Sequence, residues 1–129
     1  RATCGGTSHK EVFEYINKYW KDTRLDDEKK ISCVILMTDC CSDIQQHQDL
    51  VPSEIPMVYL VPECGMSYTK NIRGKIIPIE VKSADNTRAK SLKIYMEAHK
   101  PEYAIKLSAK NFGFEDGKKT VPLYAAFCI

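Results

Sequence analysis

The stretch Ile31–Asp39, ISCVILMTD, constrains the fold more than any other part of the chain. Its apolar and β-branched residues run without polar alternation, a pattern typical of a strand buried on both faces in the middle of a parallel sheet. Open α/β sheets place their sites at the carboxyl ends of such strands, where Asp39 falls. We therefore predict a central strand with Asp39 at a candidate site. The alternative is that Asp39 only caps the turn that follows.

The chain has 129 residues, of which 43% are hydrophobic and 28% charged. These values are typical of a single globular domain with a core of its own. No apolar run approaches the roughly 20 residues that a membrane-spanning helix needs, so we expect no membrane span. No secretory or transit segment is recognisable in the printed sequence. We therefore expect a cytoplasmic protein, with secretion as the alternative.

Six cysteines leave two interpretations open. An even number in a small chain is compatible with three disulfides and an extracellular protein, with Cys4 and Cys128 joining the two ends. Against this, Cys33 lies inside an apolar run and Cys40 is adjacent to Cys41. No Cys-x-x-Cys spacing supports a structural zinc site. We favour reduced and mostly buried thiols.

Charge is distributed unevenly: counting Lys and Arg against Asp and Glu, residues 1–69 carry −4 and residues 70–129 carry +6. A basic half can attract phosphate or an acidic partner. However, the basic and aromatic motif of an RNA-binding sheet is missing from the sequence. We therefore expect solvated lysines and consider nucleic-acid binding unlikely.

Apolar spacing predicts an amphipathic helix from His9 to about Lys21, with a capping box formed by Ser8 and Glu11 or a cap from Thr7. A short helix or loop is predicted over Ser42–Leu50. Two further apolar runs, Ile55–Val61 and Lys75–Val81, are interpreted as strands that lie parallel to the first. Strands and helices in this order indicate an α/β fold.

The last third of the chain is ambiguous. Ser91–His99 alternates apolar and polar residues like a strand, although the same residues are good helix formers. Tyr103–Ala109 alternates as well, and Val121–Ile129 reads as a final strand. We predict an antiparallel hairpin followed by a closing strand.

Three features together resemble the von Willebrand factor A (VWA) fold: Gly5-Gly6-Thr7 before a helix, Thr38-Asp39 ending a strand, and the next strand at Ile55–Val61. They are most similar to the VWA-like domains of bacterial and phage proteins whose partners include predicted metallopeptidases. The resemblance covers about residues 4–81. It implies a mainly parallel VWA-like α/β part at residues 1–82. From this resemblance together with the length of the chain and the pattern of its last third, we predict one domain of residues 1–129 that ends in an antiparallel β extension at 83–129.

The resemblance also implies a metal-ion-dependent adhesion site, in which Thr7 offers its hydroxyl and Asp39 its carboxylate to Mg²⁺. Two features depart from the family pattern. Its Asp-x-Ser-x-Ser motif, which supplies most of the ligands, is missing from the sequence, and Cys40 stands where a glycine usually follows Thr-Asp. Thr7 and Asp39 are therefore either metal ligands or structural caps.

No catalytic residues are predicted. Cys40 or Cys41 with His47 is a conceivable nucleophile pair, but no recognisable motif surrounds it, and phosphate loops and His-Glu-x-x-His are missing from the sequence. We expect a non-catalytic protein–protein interaction or assembly module with a VWA-like binding surface at the sheet edge and another protein chain as its partner. A second possibility is that the partner chain completes the sheet. The alternative is a secreted, disulfide-braced α+β ligand-binding effector of viral or parasite type. The expected binding edge includes Thr7 and Asp39 together with Ser42, Asp43 and Glu63.

Overall fold

The computed structural model describes residues 7–20, 30–82 and 90–129. Within these ranges one six-stranded sheet runs through the molecule. The strands are β1 (Val34–Met37), β2 (Met57–Pro62), β3 (Lys75–Lys82), β4 (Ala104–Ser108), β5 (Gly113–Glu115) and β6 (Lys118–Pro122). The helices are α1 (Lys10–Tyr19), α2 (Ile44–His47) and α3 (Lys90–His99), and 3₁₀ segments span Gln48–Leu50, Glu63–Tyr68 and Leu123–Cys128.

The strand order is β1-β2-β3-β4-β6-β5. Every neighbouring pair from β1 to β6 is parallel, and β5 pairs antiparallel with β6 at the far edge. Parallel neighbours need a crossover connection, which α2 provides between β1 and β2 and α3 provides between β3 and β4. The predicted α/β class, a mainly parallel sheet with flanking helices and an antiparallel pair at the C-terminus, is confirmed.

One face of the sheet, which we call the helix face, packs against α1 and α2. Phe13 and Ile16 of α1 and Ile44 of α2 are almost fully buried there. Their spacing in α1 matches one side of an amphipathic helix, as the sequence predicts. The strand residues that meet them are Val34, Leu36, Met57, Tyr59, Val61 and Ile76.

The other face, which we call the second face, holds a separate apolar cluster. It consists of Leu60, Ile77, Ile79, Ile105 and Leu107. The 3₁₀ segment Leu123–Cys128 contributes to it, since Ala126 packs against this cluster. The apolar core is therefore divided between the two faces.

The prediction that Ile31–Asp39 forms a central strand buried on both faces is wrong. β1 is shorter than predicted and lies at the end of the strand order, with β2 as its neighbour. Its helix-face residues are half-buried, whereas Ile35 and Met37 on the second face are 56% and 69% exposed. A continuous apolar run shows that both faces of a strand can be buried, but it does not determine whether the strand lies at the centre or at the edge of the sheet.

The prediction of an antiparallel unit over residues 83–129 is only partly right. Residues 90–99 form a helix, with Leu92 buried, so the strand interpretation of Ser91–His99 is wrong. The helix is a crossover that brings β4 parallel to β3, and the antiparallel pairing is limited to β5 and β6. The predicted final strand ends at Pro122 and is followed by the 3₁₀ segment.

The predicted capping box is also not formed. His9 occupies the N-cap position of α1 without a side-chain cap hydrogen bond. The Ser8 hydroxyl donates to Asp43, 35 residues away, and its oxygen accepts from the Lys10 N–H at 3.3 Å. Gly5 and Gly6 of the VWA-like pattern, together with Cys4, lie outside the described residues.

Candidate functional site

A cavity of about 410 Å³ opens beside the carboxyl end of β1. We call it the β1-end cavity. It brings together two residues that precede α1, the turn after β1, the α2 helix and the 3₁₀ segment after β2. Its lining consists of Thr7, Ser8, Cys40, Cys41, Ser42, Asp43, Gln45, Gln46 and Tyr68.

The turn after β1 is held by its own side chains. The Thr38 hydroxyl oxygen accepts from the Cys40 N–H at 3.0 Å, and the Asp39 carboxylate accepts from the Cys41 N–H at 3.0 Å. Cys40 has a φ of 58°, the left-handed backbone that glycine favours and other residues seldom adopt. Asp39 thus makes the turn-capping contact that the sequence analysis left as one of two interpretations, and Thr38 makes a second contact of the same kind.

Asp43 joins the start of α1 to the start of α2. Its carboxylate accepts from the Ser8 hydroxyl at 2.6 Å and from the His9 N–H at 2.8 Å, and His47 Nε2 lies 3.5 Å away. The hydrogen bond from Ser8, followed by the one from His9, lowers the pKa of Asp43 below its usual value. These contacts position the cavity wall, and they occupy both carboxylate oxygens.

Two glutamines bind the wall of the cavity to the loop between β2 and β3. Gln45 Nε2 donates to the carbonyl oxygens of Tyr68 at 3.0 Å and Lys70 at 2.9 Å. Gln48 donates from its side-chain amide to the Asn71 carbonyl oxygen at 3.0 Å. The sequence analysis missed this role, because no spacing pattern distinguishes these glutamines from ordinary solvent-exposed helix residues.

The structure brings some of the predicted site residues together. Thr7, Ser42 and Asp43 line the β1-end cavity, and Asp39 lies in the turn immediately before Cys40. Glu63 does not line it. Glu63 instead lines a separate cavity of about 50 Å³ between the 3₁₀ segment after β2, β3 and α3.

The donor set around the cavity does not fit a resident Mg²⁺ ion. Mg²⁺ requires near-octahedral oxygen coordination, and Thr7 with Asp39 supplies two ligand side chains. Among residues 7–20, 30–82 and 90–129, no group of three or more His, Cys, Asp or Glu is placed to hold a metal.

Cys33, Cys40 and Cys64 are free thiols, at variance with the alternative in which all six cysteines are paired. Burial, and then the nearby Asp39 carboxylate, raises the pKa of the Cys40 thiol to about 11. A thiol with a raised pKa is a poor nucleophile near neutral pH. Cys40 therefore does not suit the nucleophile role considered from the sequence. The pairing of Cys4 with Cys128 lies outside the described side chains.

None of the described helices is long and apolar enough to cross a membrane. Comparison of the chain with protein-family models, with curated proteins and with solved structures finds no match.

Proposed function

We propose that this chain is a non-catalytic protein–protein interaction module that accepts a strand from another polypeptide along the free edge of β1. The observation that carries this proposal is an edge strand that is apolar on both faces and remains exposed on one of them. Ile35 and Met37 are 56% and 69% exposed. The β1-end cavity lies at the carboxyl end of the same strand and would contact the end of the added segment.

The backbone of β1 supplies the hydrogen-bonding groups for strand addition. The Val34 N–H donates to the Pro56 carbonyl oxygen at 2.9 Å, and the Thr38 N–H donates to the Leu60 carbonyl oxygen at 3.2 Å. Because alternate residues of a strand face the same neighbour, Ile35 and Met37 direct their backbone N–H and C=O groups away from β2. No other strand of the described residues pairs with that side.

The sequence of β1 lacks two of the features that protect sheet edges, charged residues and proline, although the strand is short. Exposed edges are normally made unattractive by charged residues, proline, bulges or short length. From Ile31 to Thr38 the chain contains neither a charged residue nor a proline. By contrast, β5, at the opposite edge, includes Glu115 and is followed by Asp116. The charged residues therefore protect the β5 edge against pairing with another strand more than the β1 edge, as expected if β1 has a partner.

Strand addition requires the partner to provide an extended segment. Its backbone would supply most of the affinity, and its alternate side chains would provide specificity. On the second face these side chains would meet Ile35 and Met37, so we expect them to be apolar. A second copy of this chain satisfies the same requirement, since two β1 strands related by a two-fold axis would pair antiparallel.

The test is a selection of peptides from a random displayed library on the purified chain, with two variants for comparison. Ile35→Lys places a charge on the β1 edge, and Phe114→Lys places the same charge on β5, where Phe114 is 67% exposed. Selected peptides should alternate apolar residues, lose at least about tenfold in affinity for Ile35→Lys, and bind Phe114→Lys as they bind the wild type. N-methylation of alternate peptide nitrogens should abolish binding, because it removes the donors of the ladder.

Peptides that bind Ile35→Lys and the wild type equally would contradict the proposal, as would a selection that enriches nothing while the chain stays monomeric at high concentration. Self-association measured by sedimentation velocity, lost in Ile35→Lys and kept in Phe114→Lys, would support it with a second copy as the partner.

A further inference from the structure

The residues on the free edge of β1 are arranged symmetrically about Ile35. Exposure alternates along this part of the chain: Cys33, Ile35 and Met37 are exposed, whereas Val34 and Leu36 are half-buried. Because the Val34 N–H donates to β2, the residues that alternate with it direct their backbone N–H and C=O groups away from β2. These outward residues are Ile35 and Met37, and Cys33, immediately before β1, continues the same alternation.

This symmetry suits one particular pairing with a second copy of the chain. Two antiparallel β1 strands related by a two-fold axis at Ile35 would place Ile35 opposite the partner's Ile35, and Cys33 opposite the partner's Met37. Each outward residue would then exchange both of its backbone hydrogen bonds with the residue opposite. An axis at Leu36 would instead place Cys33 opposite the partner's Asp39, which lies beyond the end of the strand. The axis at Ile35 therefore uses the edge more completely.

The side chains that would meet in this pairing are compatible with one another. On the second face, Ile35 would contact its own symmetry mate, and Met37 would contact the partner's Cys33. On the helix face, Val34 would lie opposite the partner's Leu36. Apolar cross-strand pairs stabilise a sheet, whereas like charges directly opposite each other destabilise it. Every residue in these pairs is uncharged, and the exposed Ile35 and Met37 would both lose contact with water.

The two ends of the strand carry opposite charges. Lys30 precedes the uncharged run Ile31–Thr38, and Asp39 follows it. Antiparallel pairing about Ile35 would bring the amino end of each strand to the carboxyl end of the other, so that each Lys30 would lie near the partner's Asp39. A parallel arrangement would bring like charges together at both ends. Because opposite charges across a strand pair are favourable and like charges are not, the charges favour two antiparallel copies.

We propose, on the basis of the strand-accepting function above, that the partner of β1 is a second copy of this chain, added antiparallel with the two-fold axis at Ile35. The sheets of the two copies then form one continuous sheet. A strand as short as β1 makes a small interface. We therefore expect a weak dimer that exchanges rapidly and is populated at high chain concentration.

The first test exchanges charges at the axis and follows self-association by sedimentation velocity at chain concentrations up to about 1 mM. Ile35→Lys and Ile35→Glu should each weaken self-association by at least about tenfold, because each places like charges opposite each other. An equimolar mixture of the two variants should regain association, since opposite charges then face each other. Met37→Lys mixed with Met37→Glu is the matched control. This mixture should not regain association, because Met37 lies about 14 Å from its own symmetry mate.

Disulfide trapping tests the register of the pairing. Under mild oxidation Met37→Cys should form an interchain bridge to Cys33, because residues directly opposite each other have Cα atoms about 5.5 Å apart, within the range of a disulfide. Peptide mapping locates the bridge. Met37→Cys combined with Cys33→Ser should form no bridge between the two copies of position 37, since about 14 Å is too far for a disulfide.

A wild type that stays monomeric at about 1 mM, with no bridge to Cys33 in Met37→Cys, would overturn the choice of a second copy as the partner. The proposed function would still stand in that case if selected peptides bind the wild type and lose affinity for Ile35→Lys, so the two failures are distinguishable. A dimer that Ile35→Lys leaves intact, or that forms a bridge at position 37 when Cys33→Ser is present, would overturn the axis at Ile35.

Discussion

Gly65 lies directly against the backbone of Asp39. A Cβ atom added at Gly65 would lie 2.3 Å from the Asp39 carbonyl oxygen and 2.6 Å from its Cα. Both atoms belong to the turn that Thr38 and Asp39 hold at the end of β1, so a side-chain rotation cannot relieve the overlap. The contact seats the 3₁₀ segment Glu63–Tyr68 on this turn and fixes one side of the β1-end cavity.

Gly65→Ala is therefore expected to destabilise the protein by about 1–3 kcal/mol, the usual range for overpacking at a site that cannot yield. Urea unfolding followed by circular dichroism measures the change. Gly113→Ala is the matched control, since nothing lies within 4 Å of a Cβ added there. The control should be neutral or stabilising by up to about 1 kcal/mol. Equal effects of the two substitutions would show that the Gly65 contact is not tight.

Tyr59→Phe tests a buried hydroxyl. Tyr59 is fully buried in β2, and its hydroxyl oxygen makes no hydrogen bond to the described residues. Burial raises the pKa of Tyr59 to about 12. Because an unsatisfied buried donor costs free energy, removing the hydroxyl should leave the free energy of unfolding unchanged or raise it by about 1 kcal/mol.

Phe13 belongs to the same apolar cluster as Tyr59. Phe13→Ala should lower the free energy of unfolding by about 3–5 kcal/mol, which would show that the cluster is tightly packed. Both variants are measured by chemical denaturation. A loss of more than about 1 kcal/mol in Tyr59→Phe would mean that the hydroxyl has a partner.

Local patterns in the sequence predicted most of the elements. The apolar spacing of α1, with Phe13 and Ile16 buried, and the apolar runs of β1, β2 and β3 were sufficient because each reflects a local periodicity. The position of β1 at the edge was not predictable in this way. Strand order depends on which segments pair across the whole chain. A run such as VILM contains no information about which strands will lie beside it.

The α3 helix shows a second limit of predicting structure from the sequence. Its residues alternate in polarity and also have Leu92, Tyr95 and Met96 at helical spacing, so both periodicities are present. The structure buries Leu92 against β3, and this tertiary contact selects the helix. Segments with two compatible periodicities are decided by packing and not by local preference.

The candidate site was predictable only where it lies next to a strand end. Asp39 and Ser42 follow β1 directly, so a strand prediction places them at the carboxyl edge. The contribution of Ser8 depends on a hydrogen bond to Asp43 across 35 residues, and that of Gln45 depends on carbonyl groups more than 20 residues away. Polar contacts at such separations have no local signature in a single sequence.

Cysteine reactivity should follow exposure and the pKa of Cys40. At pH 8 an ordinary thiol with a pKa of 9.0 is about one-tenth thiolate, whereas a pKa of about 11 leaves roughly one-thousandth. Cys40 is 3% exposed, which slows its alkylation further, while Cys33 and Cys64 are exposed. Iodoacetamide pulses with peptide mapping should label Cys33 and Cys64 first. Cys40 should react about a hundredfold more slowly or more, and it should become reactive in urea. Rapid labelling of Cys40 in the native protein would contradict its placement.

The last prediction concerns the acid dependence of stability through Asp43. The Ser8 hydroxyl and then the His9 N–H hold the pKa of this carboxyl below its ordinary value of 3.8. A lowered folded-state pKa stabilises the fold above the ordinary value, and this stabilisation is lost as the pH falls through the lowered value. Asp43→Asn should therefore be less stable than the wild type at neutral pH, and the difference should shrink below about pH 4.

Ser8→Ala removes the largest cause of the shift, so the pKa of Asp43, followed by NMR of its side-chain carboxyl carbon, should rise toward the ordinary value. Ser53→Ala removes an exposed hydroxyl that donates to Glu54 and should leave the Asp43 titration unchanged. Thermal unfolding between pH 2.5 and 7 gives the stability of each variant over the relevant range. A wild type and an Asp43→Asn variant whose stability curves stay parallel through acid pH would show that this carboxylate does not couple α1 to α2.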